Sequence, residues 1–288
     1  MNKKIPFDRV IVIGYGWIVN EVVKHMNMLR EVYSYKIEYI EHEVHAFNTA
    51  KAYCAENGIL DSTIEDKKEL TAYLSNISEK TLIISASNNY LFPATILDNE
   101  LVTVINFHNA LLPKFPGRNA PSWVIYEGEE VTGITWHYVT SRVDAGNIII
   151  QKTVPIDPDI KAYELASTLM TLAFDAFKES IEKVLTEEVE AKPQIVEAHR
   201  KMYLSKDVPG DAIFDVTDSW KDIYRLLRAT DYAKYDIFPP VTTTVNGNKV
   251  KVVRYKIVDN ERVKNEDGYL IYPVDDNRSL QIKYKIND

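Results

Sequence analysis

Four short apolar runs, each followed by a stretch of helical periodicity or by a turn, set the pattern of the first 106 residues. Val10-Ile11-Val12-Ile13 leads through Gly14-Tyr15-Gly16 into Trp17 to Met26, whose apolar positions recur at helical spacing, so a strand, a tight turn and a helix are predicted. Tyr35 to Ile40 reads as a second strand and Ala46 to Asn57, stopped by Gly58, as a second helix. After a helical stretch at Lys68 to Leu74, Thr81 to Ser85 and Leu101 to Asn106 are continuous apolar runs of the kind buried on both faces. Strands alternating with helices imply a mostly parallel sheet with helices on both faces, an α/β fold in which function gathers at the carboxyl ends of the strands.

The later pattern changes. Ala162 to Leu185 predicts one long helix with Leu165, Leu169, Leu172, Phe174 and Phe177 broadly on one side. Glu187 to Gln194 reads as a solvated connector, and Ser219 to Ala229 as a short amphipathic helix. Beyond Pro239-Pro240 the periodicity is that of strands: Val241 to Val245 and Lys249 to Val258 flank Asn246-Gly247, a strong hairpin signal, and Gly268 to Val274 and Leu280 to Ile286 follow. The expected organisation is an α/β domain over 1–204, connector included, and a small β-rich C-terminal domain over 205–288.

Composition narrows the function classes. With 45% hydrophobic and 26% charged residues the chain reads as globular, and no apolar run approaches the roughly 20 residues that span a bilayer. The Met1-Asn2-Lys3-Lys4 start lacks the pattern of a signal sequence, so a cytoplasmic location is expected. Cys54, the single cysteine, cannot form an internal disulfide and is expected to pack as a small apolar residue. The net charge of -8 lies entirely before residue 205, since the remainder carries 14 Lys plus Arg against 14 Asp plus Glu. Neither half shows the basic excess with which proteins grip a polyphosphate backbone. Gly14-x-Gly16 lacks the third small residue of a dinucleotide fingerprint, because position 19 is Val.

The candidate chemistry lies at the end of the fourth run. Asn106 and His108, two apart on a strand, place both side chains on one face, and Lys114 to Pro121 is too rich in Pro and Gly to extend that strand. Asp144, before Ala145-Gly146, adds a carboxylate after the Gly133-Ile134-Thr135-Trp136-His137 strand. An amide to donate to an oxyanion, an imidazole to handle a proton and a carboxylate to fix and charge the imidazole suit acyl transfer to an amine without a metal.

The whole series, Asn106-x-His108-x-x-Leu111-Leu112-Pro113, then Gly117-Arg118-x-x-Pro121, then Thr132-Gly133-x-Thr135-x-His137 and Asp144-x-Gly146-x-Ile148, resembles the folate-dependent formyltransferases. These include methionyl-tRNA formyltransferases and enzymes that formylate amino sugars on nucleotide carriers. The resemblance covers about residues 80 to 152, with departures at Asn109-Ala110, where a small residue then Ser is common, and at Asn147, where Asp is usual. It implies a Rossmann-like fold that makes no use of a nicotinamide site and 10-formyltetrahydrofolate as cosubstrate. It implies Asn106, His108 and Asp144 as the catalytic trio, and Ser87, Asn88, Asn89, Tyr90, Leu91 and Leu111, with Asp144, as the folate side of the pocket. Packing against the next helix is the alternative for the Tyr90-Leu91-Phe92 cluster. Lys114 and Arg118 are the nearest cations for a pyrophosphate, with surface solvation as their alternative. Arg228, in an R-x-x-R-A pair, is assigned either to substrate or to an inter-domain salt bridge. His137 is left open between catalysis and pocket lining, and His25, His42, His45 and His199 show no ligand spacing.

The resemblance and the charge balance together favour a dTDP- or UDP-linked amino sugar as acceptor, in the setting of lipopolysaccharide O-antigen biosynthesis, with a homodimer as the expected assembly. Methionyl-tRNA is the second acceptor to weigh, and a folate- or nucleotide-sensing module is the non-enzymatic reading.

Overall fold

The computed structural model describes residues 3–42, 50–197 and 201–286. The expected helix from Ala46 is described from Ala50 onward, and His45 and His199 lie outside the described residues. Chain contacts fall into two compact units: Met1–Pro116 with Gly133–Val154 and Thr168–Met202, and Gly117–Thr132 with Pro155–Ser167 and Tyr203–Asp288. The cut expected at 204/205 falls close to the start of the last of these segments, and the contact grouping adds to it two segments that precede it in sequence.

The elements run β1 (Arg9–Gly14), α1 (Gly16–Leu29), β2 (Lys36–Glu41), α2 (Ala50–Glu56), β3 (Leu60–Thr63), α3 (Lys67–Ser75), β4 (Thr81–Ala86), α4 (Ala94–Leu97), β5 (Val102–His108), α5 (Ala120–Tyr126), β6 (Val131–Tyr138), β7 (Ile148–Pro155) and α6 (Ala162–Leu185). They are followed by α7 (Trp220–Ala229), β8 (Thr242–Val245), β9 (Asn248–Asp259), β10 (Tyr269–Pro273) and β11 (Arg278–Ile286). The first sheet has seven strands in the order β3-β2-β1-β4-β5-β6-β7. Its pairs from β3 to β5 are parallel, and β6 joins β5 antiparallel. This is the mostly parallel sheet that the alternating pattern predicts.

Every residue of β4 is buried, as are Val10 to Ile13 of β1, which is why these strands read as unbroken apolar runs. Ile11, Ile13, Ile40, Ile83 and Val104 meet Leu70 and Leu74 of α3 in one core. Asp66 starts α3 by accepting from the backbone N–H of Lys68 and Glu69, each at 2.9 Å. Gly14 serves strand packing: at φ +140° it lets β1 pass so close to β4 that a Cβ would lie 2.0 Å from the Ala86 carbonyl oxygen. Cys54 is fully buried, and that burial pushes its thiol up to about 12.

The long helix forms as expected at α6, where Leu165, Leu169 and Phe177 are buried together with Ala173 and Ala176. Phe174 is half-buried and meets the rings of Trp17 and His25 edge-on. After α6 the segment expected as a plain connector docks on the sheet. Lys192 exchanges backbone hydrogen bonds with Ile148, and the Gln194 side chain donates to the Gly146 carbonyl at 2.6 Å.

In the second unit β10-β11-β9-β8 form an antiparallel sheet. Asn246 (φ 49°) and Gly247 (φ 81°) join β8 to β9 as a two-residue turn with positive φ at both positions, the hairpin geometry that the dipeptide predicts. Ser219 caps α7, and the helix buries Ile223, Leu226 and Leu227 against Leu280 and Ile282 of β11. Among the described residues no helix is long and apolar enough to cross a membrane.

Candidate active site

Parallel pairing brings the carboxyl ends of β1, β4 and β5 side by side, with Ser85 of β4 opposite Asn106 of β5. The antiparallel neighbour β6 sets His137 opposite Asn106 and Thr135 opposite His108. Five polar side chains, those of Ser85, Asn106, His108, Thr135 and His137, thus gather at one end of the sheet, because alternate residues on each strand face the same way.

Asn106 is fixed at both ends of its amide. Its Oδ1 accepts from the Ser85 hydroxyl at 2.8 Å, while Nδ2 lies 3.1 Å from the Phe107 carbonyl oxygen and 3.3 Å from His137 Nε2. His137 holds its other nitrogen, Nδ1, 2.9 Å from the Tyr138 carbonyl. A carbonyl only accepts, so Nδ1 carries the hydrogen and Nε2 is the face turned to Asn106.

His108 is oriented by the same logic. Its Nε2 lies 2.8 Å from the Phe115 carbonyl and therefore donates, which leaves Nδ1 as the nitrogen that exchanges a proton. Nδ1 faces Asp144 Oδ2 at 3.6 Å, and the other carboxylate oxygen faces His137 Nε2 at the same distance. One carboxylate thus stands between two imidazoles, all three groups largely buried.

Asp144 is delivered by a strained turn. It adopts φ 49°, a conformation uncommon for residues other than glycine, and the chain then folds back so tightly that a Cβ on Gly146 would lie 1.8 Å from the Tyr138 carbonyl oxygen. The turn after β5 is pinned by Thr135, whose hydroxyl donates to the Ala110 carbonyl at 2.7 Å and accepts from the Leu112 N–H at 3.1 Å. Gln151 donates both to that hydroxyl and to the Leu112 carbonyl, each at 2.9 Å. Leu111, half-buried, approaches Gly133 so closely that its Cδ2 would lie 2.7 Å from a Cβ there.

The loop after β4 divides its residues between two tasks. Ser87 (φ 56°), Asn88 and Asn89 are half-buried, and Leu91 is 72% exposed. Tyr90 instead turns its ring into the core, between His42 and Phe92, and shares a 2.6 Å hydrogen bond with Thr71. The packing alternative therefore holds for the Tyr90 side chain, whose backbone alone remains for a ligand.

Two of the expected cations lie in the second unit. Arg118 is half-buried and its backbone N–H donates to the Tyr203 carbonyl at 2.8 Å, while Lys114, in the first unit, is exposed. Arg228 also lies in the second unit. It is 7% exposed, stacked 5.0 Å over the Tyr224 ring, and donates to the Ile160 carbonyl at 2.9 Å, so it ties α7 to the 155–167 segment of its own unit. Burial lowers the proton affinity of this guanidinium below its usual value.

Sequence reasoning placed Asn106, His108 and Asp144, and the structure brings them together. Ser85, which the sequence does not single out, and His137, which it leaves open between catalysis and pocket lining, both lie against Asn106. The signal for His137 was the alternation Thr135-Trp136-His137, which puts Thr and His on one face once the strand pairs with Asn106 and His108. Among the described residues no cluster of three or more His, Cys, Asp or Glu could hold a metal ion.

Comparison with known proteins identifies the family and the fold. Residues 24–181 match the family model of the formyl transferases. A methionyl-tRNA formyltransferase from Acetivibrio thermocellus is 28% identical over 208 residues, covering 71% of this chain and 64% of that protein. The match thus spans just under two thirds of the length of this curated relative. Among solved structures, the sugar 3N-formyl transferase WlaRD, crystallised with dTDP and 5-N-formyl-THF, superposes with a TM-score of 0.73 at 18% identity over 96% of this chain and 98% of its own. An N-formyltransferase from Helicobacter canadensis, in complex with folinic acid and dTDP-3-aminofucose, gives 0.71 at 15% identity over 97% of this chain and 100% of its own.

Proposed function

The chain belongs to the formyl transferase family, and from that premise we propose that it transfers a formyl group from 10-formyltetrahydrofolate to the primary amine of a dTDP- or UDP-linked amino sugar. The observation that carries this reading is the Asp144 carboxylate facing the proton-exchanging nitrogen of His108 beside the Asn106 amide. In the reaction the amine lone pair attacks the formyl carbon, an N–C bond forms and the C=O electrons move to oxygen. Asn106 Nδ2–H donates to that oxyanion, exchanging its looser 3.3 Å contact with His137 for the new charge. The amine proton passes to His108 Nδ1, and Asp144 stabilises the imidazolium. Their 3.6 Å separation tightens on binding, as catalytic hydrogen bonds of unliganded sites commonly do. Collapse breaks the bond from the formyl carbon to N10, which takes a proton and leaves as tetrahydrofolate.

Asn88, Asn89, the backbone of Ser87 and Tyr90, Leu91 and Leu111 form the folate side of the pocket, and the exposed Lys114 of the same unit is the cation offered to the pyrophosphate. The sugar acceptor is favoured by two observations. Solved sugar formyltransferases match the fold over nearly the whole chain, and the charge balance shows no basic excess for a polynucleotide. Methionyl-tRNA is the second reading, favoured by the curated relatives. Incubation with 10-formyltetrahydrofolate and a panel of dTDP- and UDP-amino sugars, followed by mass spectrometry, is expected to show one sugar gaining a single formyl group. A panel left wholly unmodified while the enzyme formylates another amine would refute the assignment.

A further inference from the structure

A primary amide fills nearly the same volume in either of two orientations, and only one of them turns the NH2 of Asn106 toward the reacting atoms. The Phe107 carbonyl, 3.1 Å from Nδ2, can only accept and favours that orientation from one end of the amide, and Ser85 holds it from the other. Its hydroxyl, 2% exposed at the residue level and opposite Asn106 in the register of β4 and β5, lies 2.8 Å from Oδ1. The acceptor side of that hydroxyl faces Asn88 Nδ2 at 3.4 Å, and the Asn88 amide is itself oriented by the Tyr90 backbone N–H, which donates to Oδ1 at 3.0 Å. Donors and acceptors therefore run in one direction: Tyr90 N–H to Asn88, Asn88 to Ser85, Ser85 to Asn106, and Asn106 to His137. Chains of this kind strengthen each member by polarisation.

We propose that Ser85 is a positioning residue for the reaction, which together with the Phe107 carbonyl holds the Asn106 amide with its NH2 toward the oxyanion and links that setting, through Asn88, to the loop at 87–91. The kinetic consequence rests on the formyl-transfer reading, and the geometric one does not. Ser85→Ala removes one oxygen from a buried site and keeps the strand. In a double-mutant cycle with Asn106→Ala it is expected to lower kcat roughly tenfold, a fraction of the 10²–10³ carried by a whole oxyanion donor, with KM for the formyl donor nearly unchanged. In the Asn106→Ala background the same exchange should cost less than about twofold. The Asn106 side-chain NH2 signal, identified in a 15N correlation spectrum by its loss in Asn106→Ala, should exchange with solvent roughly tenfold faster in Ser85→Ala. An equal loss of kcat in both backgrounds would make Ser85 merely structural, and an unchanged Asn106 NH2 signal would overturn the positioning role. A protein that formylates no amino sugar would remove the functional reading and leave the NMR comparison to decide on Ser85.

Discussion

Asp144→Asn is expected to lower kcat by roughly 10²- to 10⁴-fold, the range that a positioned acid–base pair contributes, while leaving the fold intact. The exchange is isosteric, so the strained turn at φ 49° and the close approach of Gly146 to Tyr138 are kept. What is lost is the negative charge that faces His108 Nδ1 and His137 Nε2, each at 3.6 Å. Without it the imidazolium formed when the amine loses its proton stands in a largely buried site with no counter-charge, a costly arrangement. The burden should fall on kcat, because the charge matters after the amine has attacked. Steady-state kinetics with an unchanged urea midpoint would separate this from unfolding, and a variant within tenfold of wild type would show that Asp144 takes no part in the slow step.

Asn106→Asp should cost roughly 10²- to 10³-fold in kcat. The side chain keeps its shape and its oxygen toward Ser85, but the NH2 is replaced by a second acceptor. An oxyanion would then meet a carboxylate where it needs a donor. Binding of 5-formyltetrahydrofolate, measured by calorimetry, should change little by comparison. A kcat that survives the exchange would move oxyanion stabilisation away from β5.

The architecture was legible where burial is complete on both strand faces. β1, β4 and β5 announce themselves as apolar runs, and Asn246-Gly247 dictates its own turn. β3 escaped notice because Leu60-Asp61-Ser62-Thr63 is a short edge strand with no buried residue, and so it carries no apolar run. In the site, the spacing of Asn106 and His108 places them on one strand face, and the family resemblance supplies nearly all of the case for their roles. Asp144 is distant in sequence, and although its carboxylate is noticeable after the 133–137 strand, the family resemblance is what lifts it above a mere turn residue. Ser85 and His137 act through register, which pairs each of them with Asn106 across different neighbours and is invisible until the strand order is known. The burial of Arg228 was not legible, because helical spacing reveals which residues share a face but not whether that face is buried. Tyr90 shows the same limit: an aromatic in a loop beside a site serves equally as ligand wall or as core packing, and the T-shaped contacts with His42 and Phe92 decide for packing.

The acceptor remains the centre of the account. Initial rates of tetrahydrofolate release should be compared for a dTDP- or UDP-linked amino sugar and for methionyl-tRNA, each across a range of salt concentrations. Holding a pyrophosphate needs only a few charges, so the sugar reaction should show a shallow salt dependence. A tRNA acceptor engages many phosphates, and its affinity should fall with salt by roughly 0.9 power units for each phosphate neutralised on a duplex. A nucleotide-linked amino sugar as acceptor predicts formylation of its amine with little sensitivity to salt and no formylation of methionyl-tRNA. Efficient, steeply salt-dependent formylation of methionyl-tRNA, with every nucleotide sugar left untouched, would contradict it.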